Sequence, residues 1–68
     1  MNKPSVNRIV ITVRRNEGLW AAEEDGVFFG ASLEKDIAKA SATKRAREHL
    51  QQGQACQIRI SGEHGFAI

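Results

Sequence analysis

The chain has 68 residues, one cysteine and ten Lys and Arg against eight Asp and Glu, a formal net charge of +2. That length predicts one domain spanning residues 1–68, and so small a domain buries only about 60% of its unfolded surface. Cys56 has no partner for an internal disulfide, which points to a reducing, cytoplasmic setting. No apolar run reaches bilayer-spanning length, so no membrane partner is expected, and so small a net charge does not by itself imply nucleic acid.

Met1 to Ser5 is polar, holds the only proline and lacks the apolar core of a signal peptide. It is expected to be a disordered tail. Val6 to Arg14 then alternates, with Ile9, Ile11 and Val13 on one face and Arg8, Val10, Thr12 and Arg14 on the other, the pattern of a half-buried strand. Arg15-Asn16-Glu17-Gly18 supplies turn chemistry. Leu19 to Glu24 is a second strand with Trp20 and Ala22 on one face. Asp25-Gly26 is a hairpin signal that folds Val27 to Gly30 back as a short third strand.

Ser32 to Gly53 reads as the helix. Ser32 is placed as its N-cap, Glu34 and Asp36 suit the positive end of the dipole, and Gly53 stops it. Ala38, Ala42, Ala46 and Leu50 recur every four residues and drift about 40° per step, a stripe broad enough to lie on a sheet. Lys35 falls within that stripe, and Leu33 and Ile37 project away from it. Either regular helix begins near Asp36 with Leu33 tucked into the core, or the buried face is Leu33, Ile37, Ala40 and Leu50. The first arrangement is the one expected.

Ala55 to Ser61 alternates again, with Cys56, Ile58 and Ile60 on one side and Gln57, Arg59 and Ser61 on the other. Gly62-Glu63-His64-Gly65 is a turn, after which Phe66 to Ile68 pairs briefly. The order β-β-β-α-β predicts an α+β fold of two layers: a three- or four-stranded, mainly antiparallel sheet with one helix packed on one face.

Trp20 on the second strand, the Asp25-Gly26 turn, the alanine-rich helix with Lys and Arg, and a last strand running into Gly62-Glu63-His64-Gly65 carry a resemblance over most of the chain. The sequence resembles a family of small bacterial proteins of unknown function. Leu19 stands where that family has glycine, and Ser61 where it has the histidine before the glycine. The resemblance implies a fold and no activity.

Chemistry is sparse. His49, Cys56 and His64 are the only soft metal ligands, without the paired spacing of a zinc site, so no metal or cofactor is expected. Glu23-Glu24-Asp25 reads as solvated charge at a hairpin tip, since neighbouring strand residues point to opposite faces. No serine sits in a nucleophile's context, and an enzyme is not expected. Adjacent Phe28 and Phe29 must face opposite sides of the sheet, and one helix covers one side only. One ring, joined by Val10, is therefore expected on an open face that could bind a protein partner or a second copy. The expected role is a non-catalytic protein-interaction or self-associating module, acting through the open sheet face or an edge strand. The alternative is a nucleic-acid-binding accessory domain using Lys39, Lys44, Arg45 and Arg47 on the helix with Arg8, Arg14, Arg15 and Arg59.

Overall fold

A computed structural model describes residues 8–68; the expected tail at Met1 to Ser5 lies outside the described residues. Five strands and one helix follow in the order β1 (Ile9–Asn16), β2 (Leu19–Glu24), β3 (Val27–Ser32), α1 (Lys35–Gln51), β4 (Cys56–Ile60) and β5 (Glu63–Ala67). They form one sheet in the order β3-β2-β1-β4-β5, with α1 across one face. The α+β class holds, but the sheet has five strands where three or four were expected. It is mixed: β1 pairs with β4 in parallel, while the other three pairings are antiparallel. The reason is the connection. A chain that leaves the far edge at β3 and crosses a face as a helix returns parallel to the strand it left, and the free side of β1 is the place left to pair.

Tight turns set the register. Asp25 and Gly26 have φ of 52° and 85°, the two positive values of a type I′ hairpin turn, and Glu24 pairs with Val27 across them. β1 runs two residues further than the expected Arg14, so its turn is only Glu17-Gly18. The fifth strand is the larger departure. The polar stretch expected as a turn is mostly strand, with Ile60 paired to Glu63. Gly65 is required there because a Cβ would strike the Ile58 carbonyl oxygen, so the glycine marks close backbone approach at a bulge.

Ile11 and Val13 of β1, Ala22 of β2, and Cys56, Ile58 and Ile60 of β4 form the inner sheet face. Ala38, Ala42 and Ala46 of α1 lie on it, fully buried. The fourth member of the row does not follow them. Three steps of 40° carry Leu50 to the flank, where it is half exposed, and His49 takes the inward position. At the other end Leu33 is 80% exposed and Ile37 48% exposed, which overturns both the tucked Leu33 and the alternative face built on it. Nor does Ser32 cap the helix. It ends β3, its Oγ accepts from the Glu34 N–H at 3.0 Å, and Glu34 occupies the cap position without a side-chain bond. The C-terminus closes as expected around Gly53, whose N–H donates to the Leu50 carbonyl while that of Gln54 donates to His49.

A seam of alanines brings helix and sheet close but offers little area, and polar groups pin both its ends. At the N-terminal end of the helix, Lys35 donates to the Ser61 carbonyl at 2.6 Å, pairs with Glu63 at 2.9 Å and stands 4.6 Å from the Trp20 ring centroid. The lysine that seemed misplaced in the alanine stripe thus runs over the core and ends in a polar socket. At the other end Glu24 receives His49 and Arg45.

Candidate interaction surfaces

Phe28 and Phe29 fall on opposite sheet faces because they are consecutive strand residues. Phe29 pairs with Ala22 on the helix side and packs, half-buried, against the core. Phe28 pairs with Glu23 on the uncovered side and is 38% exposed, and the Arg14 guanidinium carbon lies 6.0 Å from its ring centroid. That reach carries Arg14 over its cross-strand neighbour Ala21, which is buried although no helix covers it. Val10 shares this face but stands apart from Phe28. Thr12 pairs with Glu23, which pairs with Phe28, so Val10 is two strands and one pair-step away, roughly 11–12 Å. Thr12 and Glu23 interrupt the apolar surface between them, and Arg14 and Arg59 complete a mixed, polar face.

The helix bases divide into two kinds. Lys39 pairs with Glu63 at 2.8 Å and Arg45 with Glu24 at 3.2 Å and Glu48 at 3.4 Å. Lys44 and Arg47 are exposed and have no ion-pair partner among the described residues. Arg14 and Arg59 lie on the sheet face opposite the helix, so they do not join the helix bases in one surface. Arg15 is elsewhere again, 5.3 Å from the Trp20 ring centroid on the helix side.

Glu24 and His49 form the most buried polar pair, with Nε2 at 3.0 and 3.1 Å from the two carboxylate oxygens. Burial pushes the Glu24 carboxyl up, but the hydrogen bonds and charges of His49 and Arg45 outweigh it and hold the group below its ordinary range. An ionised carboxylate only accepts, so Nε2 carries the proton. Cys56 is fully buried, and burial first, then the Glu24 charge, raises its thiol pKa, the opposite of an activated nucleophile. His64 is exposed on β5. Among the described residues no three His, Cys, Asp or Glu side chains converge on a metal site, and no helix is long and apolar enough to cross a membrane.

An edge strand is one of the contact routes the sequence suggests, but nothing in it identifies β3 as that edge. Among the described residues this strand, Val-Phe-Phe-Gly-Ala-Ser, is a free sheet edge, and it holds no charged residue and no proline. Glu24 and Val27 flank a two-residue turn and exchange hydrogen bonds, so Phe28 in the next pair points its N–H and C=O away from β2. Val27 is 66% exposed at one end of the edge, with exposed Leu33 and Ile37 at the other. Between helix and strand an open groove of about 450 Å³ is lined by Glu24, Asp25, Val27, Phe29 and Arg45. The signal for this site was the uncharged strand itself, but only the strand order shows that it is an edge.

No family model, curated protein or solved structure matches the chain.

Proposed function

We propose that this domain is a non-catalytic interaction module that takes up a further polypeptide strand along the free edge of β3. The observation that carries the reading is an uncharged, proline-free edge bordered by exposed Val27, Leu33 and Ile37. Protein edge strands are ordinarily protected by lysine, proline or a covering loop, because bare amides and carbonyls invite pairing. Strand addition uses these groups for affinity and the flanking side chains for selection. β5, the other edge, carries Glu63 and His64 and has its end tied to Lys35 and Lys39.

Amide exchange tests the reading. The Phe28 N–H should exchange rapidly in the free domain and become protected when a partner binds. Phe28→Pro removes the outward-facing donor and the ring without breaking a ladder bond to β2, so it should leave the far-UV spectrum unchanged and abolish binding, whereas Phe28→Leu, which keeps the donor, should retain it. Protection confined to β5 or to the open sheet face would overturn it. The nucleic-acid alternative gains no such support, since Lys39 and Arg45 are engaged and the remaining bases are divided between opposite faces.

A further inference from the structure

We infer that the strand added to β3 is the β3 of a second copy, joined antiparallel about a two-fold axis at Phe28; this rests on the strand-addition reading above. Phe28 is the residue whose backbone donor and acceptor both face outward, so two copies can exchange a pair of hydrogen bonds there. The side-chain consequences follow from the register. On the helix face Val27 of each copy stands across from Phe29 of the other, and on the open face the two Phe28 rings are neighbours. The three cross-strand pairs formed over Val27 to Phe29 are apolar, and apolar and aromatic cross-strand pairs stabilise a sheet. With no charge on β3, the symmetry brings no like charges together along the strand.

The helix flanks agree with the same axis. Ser41 stands directly over Gly30, where an added Cβ would strike it. Gly30 is two residues, roughly 6.6 Å, from the axis. The connection requires α1 to run antiparallel to β3, and a helix rises about 1.5 Å per residue. Lys44 is therefore roughly 2 Å from the level of the axis on the Gly30 side, and Glu48 roughly 4 Å beyond it on the other. A two-fold rotation exchanges these levels, so Lys44 of one copy comes level with Glu48 of the second, while Arg45, roughly 0.6 Å from the level of the axis, is neutralised by Glu24 and Glu48 of its own chain. Lys44 is one of the two helix bases without a partner within its own chain, among the described residues.

Sedimentation equilibrium of the full chain over a range of concentrations, with Lys44→Glu and Glu48→Lys variants, tests this. The chain should show a reversible monomer–dimer equilibrium, and each single reversal should weaken it by roughly tenfold or more. An equimolar mixture of the two variants should recover dimer, as a heterodimer in which both cross-axis pairs are attractive. The double variant, which swaps the charges within one chain, should recover it too. Each variant's thermal melt at low concentration separates lost association from lost folding. A dimer with unprotected Phe28 amide would overturn both this inference and the strand-addition reading. A dimer protected at Phe28 but indifferent to the charge reversals would overturn the two-fold register alone. A chain that stays monomeric at millimolar concentration would overturn the second copy as occupant. A soluble peptide of residues 26–31 flanked by lysines then decides the broader reading: protection of Phe28 by it leaves strand addition standing, and no binding removes both.

Discussion

The close fit of Gly30 under Ser41 offers the most direct test of how the helix sits on the sheet. Gly30 has φ of 66° at the bulge where Gly30 and Ala31 together oppose Ala21, and a Cβ built on it collides with both Cβ and Oγ of Ser41. Gly30→Ala therefore carries two penalties. A non-glycine residue in the left-handed region costs about 1–2 kcal/mol. Overpacking against a helix that must shift costs about 1–3 kcal/mol. The loss of unfolded-state freedom returns about 0.4–1 kcal/mol. The net is about 1–5 kcal/mol, against a total stability of roughly 3–10 kcal/mol for a chain of this length. The melting temperature should fall by roughly 7 °C for each kcal/mol lost.

A double-mutant cycle in urea separates the two penalties. Ser41→Gly alone removes the obstructing side chain at a helix-propensity cost of about 0.5 kcal/mol. In the Ser41→Gly background Gly30→Ala should lose its steric part and keep its backbone part. The expected coupling is that steric part, about 1–3 kcal/mol in the direction of rescue. If Gly30→Ala costs under about 1 kcal/mol, or the coupling is within about 0.3 kcal/mol of zero, the helix does not rest on β3 at Ser41. Lys44 and Glu48 would then not stand at the levels that pair them across the axis.

Three further outcomes are expected. Cys56 should label slowly with a thiol reagent in native buffer and rapidly in denaturant, because it is fully buried with a raised pKa; equal rates would refute its place in the core. Ala42→Glu should cost several kcal/mol, on the order of the whole stability, whereas Lys44→Glu should change monomer stability by less than about 0.5 kcal/mol; equal effects in thermal melts would mean the wrong helix face is buried. The hydrogen bonds from Lys39 and then Lys35 lower the Glu63 carboxyl from 4.5 to about 2, so its stabilisation is complete above pH 4.5 and lost as the pH falls through about 2. Glu63→Gln should therefore flatten the dependence of melting temperature on pH between those values, and an unchanged slope would refute the pairing.

Much of this architecture is visible in residue order because its signals are local. The alternation of Ile9, Ile11 and Val13, the Asp25-Gly26 turn and the four-residue spacing of the alanines each specify a face without reference to the rest of the chain. The signals that mislead are those whose meaning depends on distant neighbours. Gly62 to Gly65 looks like a loop until the Ile58 carbonyl is seen against Gly65. Lys35 looks misplaced until Trp20, Ser61 and Glu63 gather around it. The four helix bases look equivalent, yet acids brought from β2 and β5 take up two of them. Phe28 and Phe29 are separated to opposite faces by alternation alone, but the distance from Val10 to Phe28 requires the registers of two hairpins.

The same contacts that hold the helix leave the sheet asymmetric. At the β5 side Lys35 and Lys39 both reach Glu63, and Lys35 also reaches the Ser61 carbonyl, so side chains bind this edge to the helix. On the inner side Glu24 of β2 accepts from His49 and Arg45. Among the described residues no side-chain hydrogen bond or ion pair joins α1 to β3, which is held by β2, by the close fit of Gly30 under Ser41 and by the packing of Phe29. β3 thus combines a bare outer edge with exposed apolar neighbours and few polar ties of its own. An edge of this kind gains from a further strand, which would satisfy the outward groups of Phe28 and cover Val27. In a domain whose seam is made of alanines, that added burial is also a means of stabilisation, and raising the protein concentration should raise the melting temperature. A melting temperature independent of concentration across the range where the dimer forms would break that link.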